Sequence, residues 1–148
     1  MNILPVEITE VDAGQNVTII EPCNIYRCKL GDNVFVGPFT EIQNDVIIGK
    51  NTRIQSHSFL CEYVTIGNDC FVGHGVMFTN DLFKQGYPSK KNLLPTKIGN
   101  NVSIGSNATI LPISICDGVV IGAGSVVTKN IKTKGVYAGN PAKLIREL

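Results

Sequence analysis

The sequence predicts one all-β domain over residues 1–148, built as a parallel solenoid of triangular coils. Three observations carry that prediction. Eighteen Ile and fifteen Val stand against nine Leu and five Ala, a balance that favours strands because β-branched side chains are stiff in a helix and pack well on a pleated surface. An apolar residue recurs every six positions, a period given neither by a helix, at about 3.6, nor by a half-buried strand, at 2. Glycine directly follows many of these apolar anchors, and Asn or Asp fills the positions after it.

The anchors run Leu30, Val36, Ile42, Ile48, Ile54, Leu60, Ile66, Val72 and Phe78, then Ile98, Ile104 and Ile110, then one residue short at Ile115, Ile121 and Val127. A narrower inward position lies four residues after each anchor, at Val34, Thr40, Val46, Thr52, Ser58, Val64, Cys70, Val76, Val102, Ala108, Ser114, Val119 and Ser125. Three successive hexads close one coil of about 18 residues. Counting back through Ala13, Ile19 and Ile25 gives about six coils over about 13–132, with five-residue slips at 25–30 and 110–115. Gly31, Gly37, Gly49, Gly67, Gly73, Gly99, Gly105 and Gly122 follow anchors where the backbone is crowded or φ is positive. Asn33, Asn51, Asn68, Asn100 and Asn107 suit left-handed corners. Segment 133–148 closes the domain, with Asn140 as N-cap and Pro141 as first residue of a short helix to Leu148.

One departure breaks the period: the step from Phe78 to Ile98 is 20 where 6 would do. The extra 14 form an extended loop at about 79–97, exposed by its Gly86, Pro88, Pro95, Lys84, Lys90 and Lys91. Long loops on rigid scaffolds carry binding residues, although a tolerated insertion reads the same way. The lysines hint at a diphosphate ligand, and a solvated loop is the commoner explanation.

Residues 18 apart stack on successive coils, about 4.8 Å from one another. Glu62 and Asn80 are so related, and Asp81 follows at the mouth of the loop. An acid and an amide in this arrangement suit an amine and its neighbouring hydroxyl. His57 and His74 fall on the same face of successive coils, displaced by one position. Either is a candidate general base at physiological pH, or a surface histidine.

Composition removes several function classes. Thirteen Lys and Arg against twelve Asp and Glu leave a net charge of +1, too balanced for the basic footprint of a nucleic-acid binder. No apolar run approaches the ~20 residues of a membrane span, and the start lacks signal-peptide character, so a cytoplasmic protein is expected. Cys23, Cys28, Cys61, Cys70 and Cys116 are odd in number and lack CxxC spacing, which predicts reduced thiols, with Cys23, Cys61, Cys70 and Cys116 as small packing residues and Cys28 unassigned. Two histidines cannot supply a three-histidine zinc site; no metal is expected.

The runs Ile-Gly-Asn-Asn-Val-Ser-Ile-Gly-Ser-Asn-Ala-Thr-Ile and Val-Val-Ile-Gly-Ala-Gly-Ser-Val-Val-Thr-Lys resemble the hexapeptide-repeat acyltransferases. The resemblance implies a left-handed parallel β-helix, a homotrimer with sites between subunits, and acetyl-CoA as co-substrate. More closely, residues 54–62 and 71–81, ending in Phe-Thr-Asn-Asp, resemble nucleotide-sugar N-acetyltransferases that act on a 3-amino group. That likeness implies Glu62, His57, Asn80 and Asp81 as binders of a dTDP- or UDP-linked amino sugar, with His74, Asn80 and Asp81 in the catalytic role. It places the CoA arm near Gly105, Ser106, Gly122, Ala123 and Lys129, with Asn140, Pro141 and Lys143 near the adenine, although solenoid packing alone accounts for the glycines.

The expected reaction is attack of a neutral amine on the thioester, with orientation supplying much of the rate. His74 is the candidate base, and an amine reacts without one as well. Three alternatives stay open: an O-acetyltransferase of a sugar or serine hydroxyl, a hydratase with a zinc site shared between chains, and a non-catalytic β-helix scaffold.

Overall fold

The computed structural model describes residues 1–148. Its 21 strands, nearly all two or three residues long, form three sheets of seven, six and eight strands around one core. The first face runs from Ile8–Thr9 to Val126–Val127, the second from Asp12–Ala13 to Ser114–Ile115, and the third from Thr18–Ile19 to a C-terminal hairpin. This is an all-β parallel solenoid consistent with a left-handed β-helix. About seven turns stack rather than six, because pairing begins earlier, where Ile8–Thr9 joins Asn24–Tyr26.

All fifteen anchors from Leu30 to Val127 are buried, none more than 4% exposed. Pairing of Ile42 with Leu60, Ile48 with Ile66 and Ile54 with Val72 establishes the predicted coil length. Where a slip intervenes the spacing drops by one, as from Ala13 to Leu30 and from Ile25 to Ile42. The second inward position is buried throughout with one correction: Ser114 is exposed and Ile113 takes its place. A five-residue step omits a corner residue but keeps the inward side chain two before the next anchor. The same rule buries Cys28, which the sequence left unassigned. The hydroxyls of Thr40, Thr52 and Ser58, although buried, donate to the carbonyls of Gly37, Gly67 and Gly73 at 2.8, 2.9 and 3.0 Å.

Corners are more exact than the sequence suggested. Asn33, Asn51 and Asn107 are left-handed, at φ 59°, 58° and 59°, whereas at the corners of Asn68 and Asn100 the left-handed residues are Asp69 and Asn101. The left-handed position is the third after an anchor, and Asn68 and Asn100 are second. Their side chains instead tie coils together: Asn68 Oδ1 accepts from Lys50 N–H, and Asn100 Oδ1 from Asn68 N–H, both at 2.9 Å. Gly73 is required by close approach, since a Cβ there would lie 2.6 Å from Ser106 N.

The loop leaves and rejoins the solenoid without disturbing register. Ile66 pairs with Ile98, a separation of one coil plus the whole insertion. The loop's only helical feature is a 3-10 turn at Lys90–Asn92. No helix is long and apolar enough to cross a membrane.

The expected C-terminal helix is absent. Gly135–Gly139 adds to the third face, and Ala142–Glu147 folds back antiparallel on it. Asn140 and Pro141 form the turn, through a cis peptide bond. Asn-Pro starts a turn as well as a helix, and here unpaired edge groups of Gly135–Gly139 offer a partner to the following segment, which a helix could not satisfy.

Phe78, fully buried at the neck of the loop, is the largest such side chain. Phe78→Ala should cost about 3–5 kcal/mol in denaturant-induced unfolding; a loss under about 1 kcal/mol would show that this part of the core does not carry the fold.

Candidate active site

Two of the three corners hold most of the candidate residues. At the corner between the third and first faces, the second residue after each anchor forms a column of Pro38, Ser56, His74, Ser106 and Ala123. The left-handed residues beside it are Phe39, His57, Gly75, Asn107 and Gly124. Main-chain bonds fix both columns: Gly75 N–H to Ser56 O at 3.0 Å, Asn107 N–H to His74 O at 2.8 Å, and Gly124 N–H to Ser106 O at 2.8 Å. His57 and His74 thus share this corner on successive coils, as the spacing predicted. The His57 ring lies against Phe39, with centroids 4.9 Å apart. The His74 ring places Nδ1 2.8 Å from Ser56 Oγ. Gly75 has no room for a side chain, because it is left-handed at φ +65° and Asn107 Oδ1 fills its Cβ direction.

The residues assigned to CoA continue this corner upward. Ser106 stands one coil above His74 and Ala123 above that, flanked by Gly105 and Gly122. Ala138 then covers Gly122, and Gly139 N–H donates to Ser125 Oγ at 3.2 Å. The hairpin turn of Asn140 and Pro141, with Lys143 paired opposite Ala138, therefore crowns the same edge. The coil above packs directly on Gly105 and Gly122, and Lys143 is an exposed cation at the end of this edge. Lys129 does not belong to this group. It follows Val126–Val127 on the first face and lies at the next corner.

That next corner, between the first and second faces, holds Glu62, Asn80 and Asp81. Asn80 stacks on Glu62 as predicted, with Nδ2 donating to the Glu62 carbonyl at 3.3 Å. Leu94 N–H donates to Asn80 O at 2.7 Å and closes the neck of the loop. Asp81 Oδ1 accepts from Phe83 N–H at 2.6 Å, while its Oδ2 and the Thr79 hydroxyl are buried without a partner. Beside them the loop encloses a pocket of about 300 Å³ lined by Asp81, Lys84, Gln85, Lys91 and Asn92, with Leu82 and Leu94. Below Glu62, Gln43 donates to Glu41 at 2.8 Å. Burial raises the Tyr26 phenol pKa, and the charges of Glu41 and Glu62 raise it further.

A whole side of the triangle, on the order of 15 Å at strand rise, separates His74 from Asn80. One chain does not bring the candidate base to the candidate amine binders. Sequence reasoning also missed Ser56 and Thr79; Ser56 lies one full coil before His74, so the spacing that paired Glu62 with Asn80 pointed to it. No three His, Cys, Asp or Glu side chains converge on a point that suits a metal ion.

All five cysteines are free, and four are buried. Burial pushes Cys28 up to about 11 and Cys61, beside Glu62, up to about 12, and also raises Cys70. A thiol whose pKa is higher folded than unfolded favours the native state while protonated, so stability falls as pH rises past about 9. The unfolding midpoint should drop between pH 9 and 11, and iodoacetamide should leave Cys28 and Cys61 unmodified in native protein at pH 8. Rapid alkylation of Cys61 there would contradict its burial.

A family model described as bacterial transferase hexapeptide (six repeats) matches residues 27–62, and one described as hexapeptide repeat of succinyl-transferase matches 95–129. The chain is 30% identical, over 95% of its length, to the bifunctional protein GlmU of Streptococcus uberis, and covers 32% of that protein. It is 35% identical over 80% of its length to the galactoside O-acetyltransferase of Escherichia coli K12, covering 63% of it. The chain thus spans about a third of the length of the GlmU relatives. In structure it is similar to a hexapeptide-repeat-containing acetyltransferase of Vibrio cholerae solved with acetyl-CoA, with a TM-score of 0.71 at 25% identity, over 80% of this chain and 70% of the other.

Proposed function

We propose that this chain is a hexapeptide-repeat transferase that moves the acetyl group of acetyl-CoA to the 3-amino group of a dTDP- or UDP-linked amino sugar. The observation that carries the reading is the corner column, in which His74 lies directly beneath a strip of Gly105, Ser106, Gly122 and Ala123. An acyl group carried by an arm along that strip ends at the imidazole. The family relationship and the acetyl-CoA complex of the Vibrio cholerae relative support acetyl transfer. The Phe-Thr-Asn-Asp run supports the amino sugar.

In this reading the amine nitrogen attacks the thioester carbonyl. A C–N bond forms, the C–S bond breaks, and CoA leaves as thiolate. His74 accepts the ammonium proton and returns it to the departing sulfur. Glu62 and Asp81 orient the amine, and Asn80 donates to sugar or oxyanion. Because His74 and Asn80 occupy different corners, the complete site needs the first corner of one subunit against the second corner of its neighbour. A closed homotrimer provides that, three times over. The same reading places the protein in the cytoplasm, with acetyl-CoA.

The similarity to a galactoside O-acetyltransferase favours a second reading, in which a hydroxyl is the acceptor. Hydroxyl attack depends on a base far more than amine attack does. Thiol release from acetyl-CoA, assayed against 3-amino and 4-amino nucleotide sugars, free amino sugars and galactosides, should saturate with a 3-amino nucleotide sugar. Turnover with galactosides alone would establish the second reading.

Asn80→Ala should lower turnover by about 10²-fold, and near-normal turnover would remove Asn80 from the site. Light scattering should give a trimer; a monomer at micromolar concentration would leave the corners apart and overturn the site.

A further inference from the structure

The contact between His74 and Ser56 assigns a function to the serine. Ser56 is half-buried one coil beneath His74, and its Oγ lies 2.8 Å from Nδ1. The scaffold sets the two residues side by side, with the His74 ring exposed. Gly75 N–H bonds Ser56 O, and Asn107 N–H bonds His74 O, so both main chains are locked into the coil stack. His57, the other histidine of the corner, is engaged with Phe39.

The direction of this contact sets which ring nitrogen carries the proton. A serine oxygen accepts from an N–H and also donates, whereas each ring nitrogen of neutral imidazole is either donor or acceptor. When Ser56 accepts from Nδ1–H, the lone pair is left on Nε2, the nitrogen remote from the scaffold. Partners of this kind fix tautomer and ring orientation at histidine sites generally. We propose that Ser56 is the positioning residue for His74, holding the Nδ1–H tautomer so that Nε2 is the proton acceptor. It touches no substrate and acts through the ring alone. The inference rests on the reading of His74 as base, but its structural half stands apart from any substrate.

Two measurements test it. Nitrogen-15 NMR of the two imidazoles at pH 8, with His57→Asn to assign them, should show His74 mainly as the Nδ1–H tautomer, reverting to a mixture in Ser56→Ala and restored in Ser56→Thr. A wild-type ring mainly in the Nε2–H form would overturn the proposal without any assay of activity. In turnover, Ser56→Ala should lower kcat by about 10-fold, at the low end for partners that orient a histidine, with both KM values and the unfolding midpoint unchanged. In a His74→Asn background the same change should have no further effect, as expected of residues acting as one unit. An additive loss, or acetyl-serine at position 56 after exposure to acetyl-CoA alone, would overturn the positioning role. If His74→Asn keeps the wild-type rate while the tautomer result holds, the base assignment fails and the Ser56 contact is structural only.

Discussion

Strands of two or three residues cannot satisfy their own main chain, and everything in this molecule depends on the coil above and below doing so. Of 75 main-chain hydrogen bonds, only 27 lie within named strands. Most of the other 48 tie strand ends to the next coil, and a further set, such as Gly75 N–H to Ser56 O and Asn107 N–H to His74 O, joins corner to corner, so the corners are held in register with the faces. That register forces an inward residue every six positions, buries the anchors to a few per cent exposure, and excludes a Cβ at Gly73. A period in sequence thus becomes a set of straight columns in space.

Those columns make a corner a suitable support for chemistry. Side chains at one corner position repeat about every 4.8 Å, and a left-handed residue beside each aims it consistently. Ser56, His74, Ser106 and Ala123 are successive rungs of a single column, which is how His74, its hydrogen-bond partner and the small residues above them come to be collinear. The loop exploits the same property. Since Ile66 finds Ile98 as if nothing intervened, residues 79–97 are free to enclose a pocket without costing the core.

The candidate residues divide between two corners. A single rigid triangle cannot bend one corner toward the next, so His74 and the group of Glu62, Asn80 and Asp81 cooperate only if another copy bridges the gap. Lys129, sited at the second corner rather than along the strip, falls on the same side of that division as Glu62. The buried, unpartnered Asp81 Oδ2 and Thr79 hydroxyl lie at this second corner too, at the root of the loop.

By itself the sequence determined the solenoid: its anchors, its coil length, its inserted loop and the stacking of Glu62 under Asn80 all follow from spacing, because a periodic fold writes its geometry directly into residue number. The left-handed corners at Asp69 and Asn101, and the burial of Cys28 and Ile113, obey the same rule but needed the register at each slip to be known. Only the tertiary structure decided the rest. Asn140-Pro141 fits a helix start and a hairpin turn alike, and the open edge of Gly135–Gly139 chose the hairpin. His74 and Asn80, a single hexad apart, read as neighbours along the chain; folding sets them at opposite ends of one face. Ser56 and His74, a whole coil apart, became a hydrogen-bonded pair. Separation along a chain measures proximity only once the coil that wraps it is fixed, and that wrapping is a property of the whole stack.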